Sequence, residues 1–230
     1  MLGELTAALD SEPLDATRAD YAAAIVDANC LSKPTSSTRR LTNQRLGELY
    51  ALDASVPIFR VLRRLWSIDD QGRPLLALLC ALARDPLLAA TASAVIPLPH
   101  GAEFLRGPLK SALCAAVGTR LNESILSKVV RNAASSWTQS GHLQGRTLKT
   151  RQLVRATPAS VAFALWLAYA AGFRGEELLT SGWIAVLDCS LLAARELALG
   201  AKRLGLIDLR IAVDVFEVGL DRLDPWRTRS

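Results

Sequence analysis

The chain predicts a mainly α-helical protein: a helical bundle, a winged helix-turn-helix segment and a small C-terminal β-hairpin. Three observations carry that expectation. Apolar residues recur at helical spacing along most of the 230 residues. Proline and glycine fall between those periodic runs and rarely inside them. Extended character is confined to two short stretches, 142–155 and 206–220. The corresponding organisation is a bundle over 1–118, a winged-helix segment over 119–157, and C-terminal helices with a hairpin over 158–230, packed on the rest.

Taken in order, Ala22, Ala23, Ile25 and Val26 predict a helix over 15–29, with Asp15 or Thr17 as N-cap. Pro34, set among small hydroxyl residues, breaks it. Leu41, Leu46, Leu49 and Tyr50 then predict a second helix over 38–50. Ser55 and Pro57 open a helix over 57–66, with Ile58, Leu62, Leu65 and Trp66 facing inward and Arg60, Arg63 and Arg64 outward. Gly72 and Pro74 start another, which Asp85-Pro86 ends while capping its successor. The Pro- and Gly-rich stretch 96–101 predicts a loop, followed by a helix over 102–117 that Pro108 kinks or restarts. No strand is expected up to this point, only a bundle of about six helices with short connections.

Asn122 caps a helix over 123–138 whose apolar stripe is Ile125, Leu126, Val129, Val130, Ala133, Ala134 and Trp137. With 109–117 as the preceding helix and 118–122 as the turn, this is the recognition helix of a helix-turn-helix. Gly141 closes it. Residues 142–155 form the wing around a basic tip at 145–150. Thr157-Pro158 caps an apolar helix ending at Gly172; a shorter helix begins at 174–177, and 190–204 is a helix closed by Gly205. Leu209, Ile211, Val213, Val215, Phe216 and Val218 predict the terminal hairpin.

Composition restricts the function. Half the residues are hydrophobic and 21% are charged, enough for a sizeable core and unlike a disordered or collagenous chain. The first ten residues lack the basic start and apolar stretch of a secretory leader. The longest uncharged apolar stretches, 74–83 and 161–172, fall short of the ~20 residues that span a bilayer. A cytoplasmic protein with no membrane partner is expected. Cys30, Cys80, Cys114 and Cys189 are scattered singly, without zinc-binding pairs, and are expected as reduced thiols. Two histidines, His100 and His142, offer neither a metal site nor a catalytic base beside a nucleophile. Phosphate-cradling and dinucleotide-binding glycine motifs are absent. Glu176-Glu177 fits an acidic first turn. Asp208, Asp214 and Glu217 lack the lysine of a nuclease site. Trp66, Trp137, Trp166 and Trp183 fall on apolar stripes, and Trp226 lies in a charged tail. No enzyme activity and no cofactor are expected.

Charge is the positive signal. The net charge is +5, yet residues 120–157 carry seven cations against one carboxylate, and residues 31–64 carry seven against two. The remainder is net acidic. A basic footprint on an acidic body points to a polyanion held in one orientation, and double-stranded DNA is the expected partner. Lys128 and Arg131 lie three apart on one helix face, and Asn132, Ser135 and Gln139 add hydrogen-bonding groups for bases or backbone. Arg146, Lys149, Arg151 and Arg155 put the wing's charge on phosphates, with Arg120 just before the helix. Thr35–Thr38 ahead of Arg39 and Arg40 offers a second phosphate contact. Two other partners fit the same charge: an acidic protein on a scaffold or adaptor, and RNA.

Asn29–Arg39 (NCLSKPTSSTR), followed by a helix with Arg45-Leu46, resembles the BrxA-like family of accessory proteins in BREX phage-defence systems. The similarity continues to Ser135–Leu143 (SSWTQSGHL) and covers about Ala16 to Arg155. The resemblance implies a NusB-like and winged-helix-like fold, no catalysis, DNA binding, and work beside a methyltransferase, an ATPase and other defence components.

Overall fold

A computed structural model describes residues 1–118, 122–212 and 215–224; for Val117, Ile211, Ala212 and Val215 it describes the backbone alone. The expected turn at 119–121 with Arg120, the hairpin residues Val213 and Asp214, and Trp226 lie outside the described residues. The protein is mainly helical, with two small antiparallel hairpins.

The N-terminal helices run α1 (Leu2–Ser11), α2 (Arg18–Val26), α3 (Ser36–Tyr50), α4 (Pro57–Trp66) and α5 (Arg73–Arg84). Thr17 and Asp20 form a reciprocal capping box on α2. Thr35 Oγ1 accepts from the Thr38 N–H to start α3. Asp85 Oδ1 accepts from the N–H groups of Leu87 and Leu88, so α6 (Pro86–Ala90) leaves α5 at a sharp angle. The axes across this break, through α7 (Ala92–Val95), bend by 105°. Helix α1 was not expected from the sequence; it buries Leu5, Ala8 and Leu9.

Next come α8 (Arg106–Val117), α9 (Glu123–Gln139), β1 (Leu143–Gln144) and β2 (Thr150–Arg151). Two expectations change here. The helix expected from 102 begins only at Arg106, and Pro108 sits in its first turn, where no intrahelical N–H is required, so nothing kinks. Residues 102–104 instead run along β2: Glu103 bridges Thr150, Phe104 N–H donates to Lys149 O at 2.8 Å, and Arg151 N–H donates to Ala102 O at 2.9 Å. The first half of the chain therefore contributes a strand-like segment. No periodicity reveals it, because its hydrogen-bond partners lie nearly fifty residues away.

The chain ends with α10 (Pro158–Ala170), α11 (Glu177–Thr180), α12 (Gly182–Ala185), α13 (Leu191–Arg203), β3 (Asp208–Ala212) and β4 (Val215–Gly219). Ser181, extended between α11 and α12, splits what the sequence presents as one short helix. Helices α5 and α10 are apolar on nearly every side, so they are central. Helix α10 packs against α4, α5, α12 and α13, and α9 packs against α5 and α8. One buried cluster runs through all three sequence segments, from Leu5 through Trp137 to Leu223. Trp66, Trp137 and Trp166 are in it, and Trp183 packs against it. Among the described residues, no single helix is long and apolar enough to cross a membrane.

Candidate nucleic-acid interface

Helix α9 is held by its buried side. Leu126, Val130, Ala133, Ala134 and Trp137 enter the core, and Asn122 Oδ1 caps the first turn from Ile125 N–H at 2.9 Å. Trp137 Nε1–H donates to Thr91 Oγ1 at 2.8 Å. The His142 ring meets Trp137 edge-on at 4.9 Å between centroids. Its Nε2–H donates to the Val186 carbonyl at 2.7 Å, which leaves Nδ1 to accept from the Ser140 hydroxyl at 2.8 Å. Burial drives this imidazole down to about 4, so it is a neutral structural residue.

These anchors fix which face of α9 meets solvent. Lys128, Arg131, Asn132 and Ser135 are all exposed on it. One flank faces α8 across a cleft of about 430 Å³ lined by Arg106, Lys110, Ser124, Ser127, Lys128 and Arg131. Lys110 Nζ is paired with Glu123 at 2.7 Å. Among the described residues, Arg106, Lys128 and Arg131 meet no carboxylate. Arg106 and Lys110 went unnoticed in the sequence. Their signal is the i, i+4 spacing at the start of α8, which falls outside the charge-rich 120–157 window.

The other flank is less cationic. Asn132, Ser135 and Gln139 share a cleft of about 350 Å³ with Arg45, Glu48 and Asp85. Gln139 Oε1 accepts from Leu2 N–H at 2.7 Å while its Nε2 donates to Ser135 Oγ at 2.9 Å. Gln139 is thus occupied by the start of α1, and its expected contact with bases is not supported.

The hairpin pairs Leu143 with Arg151 and Gln144 with Thr150. Gly145 turns it at φ +116°, where an added Cβ would lie 2.0 Å from Leu148 O. Lys149 Nζ donates to Thr138 Oγ1 and to Gly145 O, both at 2.9 Å. This ties the tip to α9 on the face of Arg131, seven residues away or roughly 10 Å along the axis at ~1.5 Å per residue. Arg146 and Arg155 are exposed, and neither has a carboxylate partner among the described residues.

Arg151 is a correction. Its side chain is 1% exposed and paired with Asp188, Nη2 to Oδ1 at 2.5 Å and Nη1 to Oδ2 at 3.1 Å. Its Nε–H donates to Val95 O at 3.1 Å. It cannot reach DNA, because alternation along β2 turns it inward; a count of cations along the chain ignores that alternation.

The second basic segment also divides. Arg39 Nη1 donates to Val26 O at 2.6 Å, strapping the end of α2, whereas Arg40 is exposed. The α4 arginines depart from the expected solvated face. Arg60 forks onto Asp224 at 2.8 and 2.7 Å, Arg63 is buried against the carbonyls of Leu9 and Glu12, and Arg64 donates to Arg222 O. Of the acidic residues considered near the terminal hairpin, Asp208 pairs with Arg222 and Glu217 with Arg210. No family model, curated protein or solved structure matches the chain.

Proposed function

We propose that the protein is a non-catalytic DNA-binding accessory protein whose α9 enters the major groove while the 143–151 hairpin lies along the adjacent backbone. The observation that carries this reading is the cleft shared by Arg106, Lys128 and Arg131, three cations without a carboxylate partner among the described residues, beside a hairpin that Lys149 ties to α9 and whose tip carries the exposed Arg146. The order of elements supports it: a strand-like segment at 102–104, α8, α9, β1, a basic tip, then β2 returning beside the first segment. That is the order of a winged helix, with α9 as reader and Arg146 on the wing. The NusB-like character of the bundle, the phage-defence setting and a cytoplasmic location belong to the same proposal, on the family resemblance and the composition.

Contacts are assigned to Lys128 and Arg131 on α9, with Asn132 and Ser135 for base edges. Arg106, Arg146 and Arg155 address phosphates; Lys149 positions the tip. Arg40 is a peripheral contact. About five neutralised phosphates give a logarithmic salt slope of roughly −4.5. Fluorescence anisotropy with a labelled duplex across salt concentrations tests it. A Lys128→Ala/Arg131→Ala/Arg146→Ala variant flattens the slope by about three. An unchanged slope, or no binding at low salt, overturns the reading. Competition with single-stranded RNA separates the RNA alternative.

A further inference from the structure

A second cleft shares no residue with the α8–α9 surface. It has a volume of about 570 Å³ and lies where α4, the 14–15 turn, the 54–55 turn and Leu223–Asp224 meet. Leu14, Ala54 and Leu223 supply apolar walls, and Arg60, Arg63 and Arg64 of α4 line it as well. That volume falls within the usual range for small-molecule sites, ~300–1,000 Å³.

The three arginines differ in their electrostatic state. Arg60 is neutralised by Asp224 and its Nη1 is taken by the carbonyls of Ala54 and Ser55. Arg63 is only 9% exposed, donates through Nη2 to Leu9 O and Glu12 O at 2.8 Å each, and meets no carboxylate among the described residues. Its Nε–H is buried without any hydrogen-bond partner. A buried guanidinium in that condition is costly, and carbonyls at the end of α1 offset the charge only in part. Arg64 donates to the Arg222 carbonyl and likewise meets no carboxylate among the described residues. Among the described residues, Asp15 is the one remaining carboxylate on the lining. Two uncompensated cations against one carboxylate leave an excess of a single positive charge.

We propose that this cleft binds a small organic monoanion with an apolar body, its acid group on Arg63 and Arg64 and its body against Leu14, Ala54 and Leu223. The inference is independent of DNA binding. A dianion or a phosphate would exceed the charge the lining can match, and a neutral apolar molecule would leave the Arg63 charge unmet.

The test uses two fluorescent probes of one skeleton, 8-anilinonaphthalene-1-sulfonate and uncharged N-phenyl-1-naphthylamine, titrated into the full chain. The sulfonate is expected to bind at one site per chain about tenfold more tightly, as a charge-assisted contact requires. Arg64→Ala removes that preference. Leu14→Glu, at an exposed rim position, removes one apolar wall for both probes and adds repulsion for the sulfonate, so it weakens the sulfonate more than the neutral probe; Ser55→Trp, filling the mouth, abolishes both. Urea midpoints of the variants establish that each is folded. Equal affinity for the two probes, or sulfonate binding unchanged in folded Arg64→Ala and Ser55→Trp proteins, overturns the proposal.

Discussion

The Arg151 guanidinium and the Asp188 carboxylate form a buried ion pair that fastens the base of the 143–151 hairpin to the segment preceding α13. Asp188 Oδ2 also accepts from Val154 N–H at 2.9 Å, so one carboxylate holds both the strand and the chain leaving it.

Removing one partner leaves the other charged and buried. Asp188→Ala is therefore expected to cost about 3–5 kcal/mol, read as a lowered urea midpoint. Arg151→Met combined with Asp188→Leu recovers most of that loss, since no unpaired charge remains. If Asp188→Ala melts like the wild type, the pair does not hold the hairpin.

His142 gives the fold a pH dependence with a definite sign. Burial lowers its pKa from 6.5 to about 4, so between those values the unfolded chain takes up a proton that the folded chain refuses. Its contribution is complete above about pH 6.5, declines as pH falls towards 4, and levels off below; the shift corresponds to something on the order of 3 kcal/mol. Urea melts at pH 7.5 and 4.5 read the decline. His142→Gln is expected to show a smaller difference between the two, and an identical difference would exclude this residue as its source.

Gly145→Ala tests the hairpin tip apart from the core. Its φ of +116° and the 2.0 Å approach to Leu148 O leave no room for a Cβ. The tip must rearrange at a cost of about 1–3 kcal/mol, which displaces Arg146 and breaks the Lys149 bond to Gly145 O. Weaker duplex binding with a near-native near-ultraviolet circular dichroism spectrum is expected. Full affinity in the variant would mean that the tip does not touch DNA.

The four thiols should be distinguishable by alkylation. Cys114 is exposed on α8, Cys30 and Cys189 are half-buried, and Cys80 lies in the core, where burial pushes its thiol up to about 12. At pH 8 mass spectrometry should find Cys114 modified first and Cys80 modified only after denaturation. Early labelling of Cys80 would contradict the packing of α5 against α3.

Several helix starts were legible in the sequence because their signals are local. Thr17, Thr35, Asp85, Asn122, Thr157 and Ser190 each cap the helix that follows them, with the acceptor two or three residues from its donor. The apolar stripe of α9 likewise specified its buried side, and so put Lys128 and Arg131 outside before any contact was known. What the chain could not disclose is how its cations are spent. Arg146, Lys149 and Arg151 stand close together in one basic stretch, yet the first has no carboxylate partner among the described residues, the second braces α9 and the third is sealed beneath Asp188. Arg106 joins the α9 surface from outside the charge-rich 120–157 window. Capping and periodicity act over a few residues and can be read along the chain. The fate of a charge depends on which carboxylates and carbonyls the fold brings to it from far away, and only the tertiary structure decides that.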